Sequence, residues 1–405
     1  MKTNTATLRL RSKATLVPIL ALLLGMLAAC GGSSNSTNGG VNGTNGGGGA
    51  DGSSLPPGTE LLYVGDNIGQ IHGFSVDANS GALTPVSGSP FAVTNLAAAS
   101  DVGLAADPSG TALYATSAGL GGPNVVALTV NPNTGALTPV AANQTLPASP
   151  IQIAVDPEGK NAYVIANTAE VWGFSIDART HGLTALPSQP TRLLGIPHGI
   201  TVDPSGAFVY ISFEGTAGGE IAGISRDTST GALSLFESSP TSGDSPQGIR
   251  VTPDGKFVIV INQGTPSAVC SVKCVSVFSL DPGTGALSEV PGSPFASGDG
   301  PGPVAIDPSG KFVFVGNTAS NSLSAYTLGS AGALTAMTGT PIALGSIAQP
   351  DSIAVDPADK FVYVSIVPRE VSGFTLNSST GALTAVTGSP FSVGQVTRDL
   401  VVVKP

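Results

Sequence analysis

A short marker, Gly-Ala-Leu, recurs along this chain with its glycine at Gly81, Gly135, Gly182, Gly231, Gly285, Gly332 and Gly381, and it constrains the fold more than any other feature. The third copy reads Gly-Leu without the alanine. Successive copies stand 54, 47, 49, 54, 47 and 49 residues apart, a period of about 50 that belongs to four-stranded propeller blades and not to helical repeats. Helical solenoids also need apolar stripes at a period of about 3.6 residues, and none is visible after residue 60.

Residues 199–235 show one repeat in full. A short apolar run (Ile200, Val202) turns at Asp203-Pro204-Ser205-Gly206 into Phe208-Val209-Tyr210-Ile211. A third run spans Ile221 to Ile224, and Ser229-Thr230-Gly231 leads into Ala232-Leu233-Ser234-Leu235. Four short runs of β-forming residues, parted by Pro, Gly, Asp and Ser, predict an antiparallel sheet of four strands joined by hairpins. One such sheet cannot bury both faces, so the seven must pack on one another.

A second marker, Asp-Pro-x-Gly, begins at Asp107, Asp156, Asp203 and Asp307, with degenerate copies at Thr252-Pro253-Asp254-Gly255 and Asp356-Pro357-Ala358-Asp359. That makes six against seven of the first. Leu400-Val401-Val402-Val403-Lys404-Pro405 has the shape of the strand preceding each such turn, and the first repeat, residues 60–91, lacks one. The expected fold class is therefore all-β, a seven-bladed β-propeller of four-stranded antiparallel blades. Its ring is closed by residues 400–404 lying as innermost strand beside residues 61–64, which leaves no open sheet edge between the termini.

Three segments are expected. Residues 1–29 read as a lipoprotein signal peptide: Lys2, Arg9, Arg11 and Lys13 precede an apolar run that ends at Leu27-Ala28-Ala29-Cys30. Small residues before a cysteine at that place resemble the bacterial lipobox, with lipidation of Cys30. An ordinary signal peptide with a chance cysteine is the alternative, and the run is short for a transmembrane span. Residues 30–58, rich in Gly, Ser, Asn and Thr, read as a flexible tether. Residues 59–405 form the propeller. The chain is thus expected to be exported and lipid-anchored to the cell envelope, monomeric, and in contact with membrane through its lipid alone.

Charged residues make up only 10% of the chain, against about 25% in ordinary globular proteins, which suits sheets packed face to face in a ring. The formal charge of −10 becomes −14 once the four basic residues of the leader are gone. No basic cluster survives, which disfavours nucleic-acid binding, and no nucleic-acid partner is expected. Cys270 and Cys274, in the fifth repeat, form a small-loop disulfide or remain two free thiols. Two cysteines without a third ligand make no zinc site, and no metal is expected. Nor is a cofactor, because no phosphate-binding glycine loop leads into a helix, and no nucleophile elbow or His-Glu-x-x-His occurs.

Residues that begin the first strands, and those just after the second strands, gather at one mouth of a propeller's channel. Counted from the turn proline, the pairs are Val102 with Ala118, Ile151 with Asn167, His198 with Glu214, Gln247 with Gln263, Gly302 with Thr318, Asp351 with Val367, and Asp399 with Asn67. His198 with Glu214 alone combines an imidazole with a carboxylate, the arrangement that holds a histidine in one tautomer and poises it as a general base. Gln247 and Gln263 offer amide donors to a developing oxyanion, and Asn167 and Asp351 offer polar contacts to a substrate. The plainer alternative is a set of ordinary polar residues at a solvated mouth. His72 and His181 fall elsewhere in the repeat and should not meet His198.

The succession Asp-Pro-x-Gly, aromatic-Val-Tyr-Val, Val-x-x-Phe and Thr-Gly-Ala-Leu-Thr, over residues 60–405, resembles the seven-bladed propeller lactonase family. That family includes 6-phosphogluconolactonase-like proteins and carboxy-muconate lactonising enzymes. Tyr63-Val64-Gly65-Asp66 and Phe314-Val315-Gly316-Asn317 are also similar to the Tyr-Val-Thr-Asn repeats of cell-surface propellers. The resemblance implies a site of two arginines, a glutamate and a histidine. By position the glutamate is Glu214, the arginines are replaced by His198 and Gln263, and the histidine falls at or near Ile151. Loss of the arginines implies a neutral lactone instead of a phosphorylated or carboxylated one. Two functions follow: hydrolysis of a neutral sugar lactone or similar cyclic ester, or a non-catalytic scaffold that binds a glycan or protein partner.

Overall fold

The computed structural model describes residues 54–93, 102–118, 122–140, 144–187, 189–215, 218–236, 241–264 and 274–405. The leader, Cys30, the tether up to residue 53 and Cys270 lie outside them. Seven sheets are present, each a path of four antiparallel strands. Numbered from the N-terminus, blade 1 holds Leu61–Asp66, and the innermost strands of blades 2 to 7 are Gly103–Ala106, Pro150–Val155, Ile196–Val202, Pro246–Val251, Pro301–Ile306 and Gln349–Val355. Each inner strand touches the next around the ring, and Thr397–Val403 touches both Gln349–Val355 and Gly103–Ala106. That last strand pairs with Leu61–Asp66, placing Leu61 opposite Val403 and Val64 opposite Leu400. The seam is the one expected.

The continuous apolar runs have a simple cause. Second strands such as Phe208–Gly215 and Phe257–Asn262 are sandwiched between neighbouring blades, so both faces need apolar side chains and alternation disappears. Seven separate apolar cores result, one between each pair of adjacent blades; Tyr163 and Ile165 of blade 3, for instance, pack with Val209 and Ile211 of blade 4. Each blade also carries a strand of two or three residues that the sequence does not announce. In blade 1, Phe91–Ala92 pairs with the start of the third strand, whose end pairs with Leu83–Pro85. Two residues are too few to show a period.

The Gly-Ala-Leu marker proves to be one half of a joint whose other half is a second-strand tyrosine of the neighbouring blade. The hydroxyls of Tyr63, Tyr163, Tyr210 and Tyr363 each donate, at 2.8 Å, to the carbonyl of the marker glycine in the next blade: Gly135, Gly231, Gly285 and, across the seam, Gly81. Those glycines have φ between 71° and 76°, a left-handed turn that glycine adopts without steric cost. Blade 3 corrects the reading of the third marker. Its left-handed residue is His181, with φ of 59°, so Gly182 stands at the alanine position. The tyrosine that would bond there, Tyr114, is buried, and its hydroxyl has no partner among the described residues.

A buried ion pair ties blade 3 to blade 4. The Arg226 guanidinium contacts the Asp156 carboxylate with both side chains fully enclosed, and it also donates to Asn161 Oδ1 at 2.7 Å, the Gly206 carbonyl at 2.8 Å and the Tyr163 hydroxyl at 2.8 Å. Arg226→Met would strand the Asp156 charge in the interior. The expected loss is about 3–5 kcal/mol, read as a lower urea midpoint at unchanged slope, and Asp156→Asn added to Arg226→Met should recover part of it.

Two local points concern the segment boundaries and the cysteines. Leu55, placed by the sequence in the tether, packs on the core between blades 1 and 2 and donates its amide to the Asn133 carbonyl. Cys274, first residue of the third strand of blade 5, is buried and disulfide-bonded.

Candidate functional site

Inner strands converge on the axis, where space is short, and most of them carry a β-bulge near the start. The register slips between Pro150 and Gln152, Pro197 and Gly199, Pro246 and Ile249, Pro301 and Val304, and Pro350 and Ser352. A bulge re-aims the residue it leaves unpaired, here Ile151, His198, Gln247, Gly302 and Asp351. These residues, with Val102 and Asp399, all line one cavity of about 670 Å³ at the mouth of the channel. The first member of every pair counted from the repeat is therefore present.

The second members divide. Ala118, Gln263 and Thr318 line the cavity; Glu214, Asn167, Val367 and Asn67 do not. Glu214, next to last in its strand, pairs opposite Ile196, two residues outside His198, and its side chain is exposed. Among the described residues, no hydrogen bond or ion pair joins it to His198. The glutamate acts on the ring only through its field: burial lowers the His198 pKa, and the Glu214 charge pulls the other way. His198 thus stands half-buried and neutral near pH 7, with its ring free to meet a ligand.

Gln247 and Gln263 are held loosely. Gln247 Nε2 lies 3.4 Å from the Ser245 carbonyl and Gln263 Nε2 lies 3.4 Å from Thr318 Oγ1, distances at which a ligand would compete well. Asn167 is exposed. His72 does not line the cavity; it is buried, with its Nε2 at 3.1 Å from Asp66 Oδ2.

Sequence reasoning missed two arginines. Arg398 and Arg250 both line the cavity, from inner-strand positions adjacent to Asp399 and three residues beyond Gln247. Counting one position per strand passes over them, and a period-2 reading of the same strands passes over them too, because they stand at odd offsets from the counted residues. Each faces an acid. Arg398 Nη1 lies 3.7 Å from Asp351 Oδ2. Arg250 donates to the Ile249 carbonyl at 2.8 Å and interacts with Asp399. Asp399 accepts the Leu104 amide at 2.9 Å and the Ser352 hydroxyl at 2.7 Å. Burial raises the Asp399 pKa, and these donors and Arg250 lower it. Arg250, Ser352 and Asp399 also border a second space of about 220 Å³ deeper in the channel. No cluster of three or more metal-ligating side chains occurs among the described residues.

A family model described as "Lactonase, 7-bladed beta-propeller" matches residues 61–183, 170–297 and 273–402. Similar solved structures include a putative 6-phosphogluconolactonase from Bacteroides fragilis, at 19% identity over 86% of this chain and 98% of that one, with a TM-score of 0.68. Another from Bacteroides uniformis has 14% identity over 85% and 100%, with a TM-score of 0.71. The periplasmic gluconolactonase PpgL of Pseudomonas aeruginosa has 17% identity over 85% and 99%, with a TM-score of 0.66. At such identities the likeness is one of fold. No curated protein matches the sequence.

Proposed function

This chain belongs to the seven-bladed β-propeller lactonase family, and from that premise we propose that it hydrolyses a neutral sugar lactone or a similar cyclic ester at the mouth of its channel. The observation that carries the reading is the charge balance of the cavity. Arg398 is matched by Asp351, Arg250 by Asp399, and His198 is neutral, so the walls offer many hydrogen-bonding groups and no surplus charge. A polyhydroxylated neutral ring suits such walls. A phosphorylated one would have to displace an aspartate from its arginine.

In the proposed reaction the neutral His198 imidazole takes a proton from water as the oxygen attacks the lactone carbonyl. The Nε2 amides of Gln247 and Gln263 donate to the oxyanion of the tetrahedral intermediate. Collapse breaks the ring C–O bond, the imidazolium returns its proton to the leaving alkoxide, and a hydroxy acid results. Glu214 contributes through its field, and Asp351 through contacts to substrate hydroxyls. The leader sequence further supports export and lipidation at Cys30, which would place the enzyme in the envelope, as the name of the Pseudomonas neighbour does for that protein.

Among the described residues no hydrogen bond orients His198, which favours a second reading, a binding propeller that holds a glycan or protein partner and does no chemistry. A hydrolysis screen on residues 50–405 separates the two. Neutral sugar lactones should be turned over, and phosphorylated analogues should have kcat/KM lower by up to about fivefold, roughly the cost of one displaced exposed ion pair. Reversed preference would discard the neutral substrate. No turnover of any lactone would discard the enzyme.

A further inference from the structure

The turns between inner and second strands begin at buried aspartates in five blades: Asp107, Asp156, Asp203, Asp307 and Asp356. One oxygen of each accepts backbone amides of its own turn, as Asp356 Oδ1 does from Lys360 at 2.7 Å and Phe361 at 2.5 Å. The other oxygen needs a separate donor. For Asp107, Asp203 and Asp307 this is the hydroxyl two residues on, from Ser109, Ser205 and Ser309. Blade 3 has Glu158 at that place, and Arg226 takes the role. Blade 7 has Ala358, and nothing among the described residues donates to Asp356 Oδ2, which is completely enclosed.

The group that meets it is a second carboxyl. Glu60 is 8% exposed, its Oε1 also lacks a hydrogen-bond partner among the described residues, and its carboxyl lies beside that of Asp356. Two ionised carboxylates in such contact repel and have no donor between them, whereas one shared proton supplies the missing donor. We propose that the closing seam contains a binding site for a single proton, carried on Glu60 and donated to Asp356, which does for blade 7 what the serine hydroxyl does in blades 2, 4 and 6.

The remaining charged and titratable groups around the pair are few. Lys404 Nζ lies 3.6 Å from Glu60 Oε1, Tyr363 lies near both acids with its hydroxyl committed to the Gly81 carbonyl, Asp77 lies beyond Tyr363, and Asp359 shares the turn with Asp356. Burial first, and then Asp356, push the Glu60 carboxyl up to about 7, against the lowering pull of Lys404. A folded pKa raised in this way adds stability that is fully present below the ordinary glutamate value of 4.5 and is lost as pH rises through about 7. Glu60 precedes Leu61–Asp66 and Lys404 follows Thr397–Val403, so the proton acts on the two strands that close the ring.

The test is thermal unfolding of the full chain between about pH 5.5 and pH 8.5. The wild type should lose several degrees of Tm over the upper part of that range. Glu60→Gln, whose amide donates to Asp356 at every pH, should lose much less. Ala358→Ser gives Asp356 the local hydroxyl and should also flatten the slope, which keeps the test alive if Glu60→Gln fails to fold. Infrared difference spectra near pH 6 should show a protonated-carboxyl band in the wild type that Glu60→Gln lacks. Equal slopes in the wild type and the variants, or no such band, would overturn the site. So would a Tm that rises with calcium or magnesium and leaves no carboxyl band, since a cation would then hold the two acids.

Discussion

Removal of the last six residues, 400–405, is expected to unfold the whole domain instead of trimming one strand. Those residues supply the pairing of Val403 with Leu61 and of Leu400 with Val64. They also place Val403 in the core between blades 1 and 2, and Leu400 in the core between blades 7 and 1. Burial of Leu400 and Val403 alone is worth about 1.5–3 kcal/mol each. Lost ladder hydrogen bonds come on top, and Leu61–Asp66, buried along its length, would become an open edge. A ring differs from a linear array in that every blade has two neighbours, so one opened seam weakens both adjoining cores and leaves two ends from which unfolding can propagate. The checkable result is loss of a cooperative thermal transition near the wild-type Tm. An unchanged melting temperature would mean that the first blade is completed by something other than the C-terminal strand.

Much of this architecture was legible because the repeat carries it redundantly. The Asp-Pro turn, the second-strand tyrosine and the marker glycine each specify the same blade, and the deficit of one turn pointed to the C-terminal strand. What escaped the sequence was local and non-periodic. His181 replaces a glycine by adopting the same left-handed φ, so the third marker was read one residue out of place. The two-residue outer strands have no pattern to detect. At the site, counting from the turn proline found His198, Gln247 and Asp351, because the bulge recurs at the same count in successive blades. The same count sets Glu214 beside His198 only where adjacent strands stay in register. The bulge at His198 breaks that register and shifts Glu214 opposite Ile196. Arg250 and Arg398 escaped because their roles depend on meeting Asp399 and Asp351 of other blades, a contact that no spacing along the chain reveals.

His198→Ala should lower lactone turnover by about 10²–10⁴-fold, the usual worth of a positioned general base, with little change in Tm because the imidazole faces the cavity and bonds to no described side chain. The pH profile carries more information than the loss itself. Burial lowers the His198 pKa, so the neutral, proton-accepting form persists to lower pH than for an ordinary histidine. The acid limb of kcat/KM should fall below the usual histidine range. Glu214 opposes that lowering through its charge, and Glu214→Gln should therefore move the limb to still lower pH while leaving the plateau rate in place. A glutamate that held the imidazole by a hydrogen bond would behave differently, because its loss would scramble the tautomer and depress the plateau by orders of magnitude, as at other histidine–carboxylate pairs. A fallen plateau in Glu214→Gln would mean that substrate draws the two side chains together. A limb that stays fixed in that variant, with the wild type active, would assign the titration and the base to another group lining the cavity, of which Asp399 is the first to test.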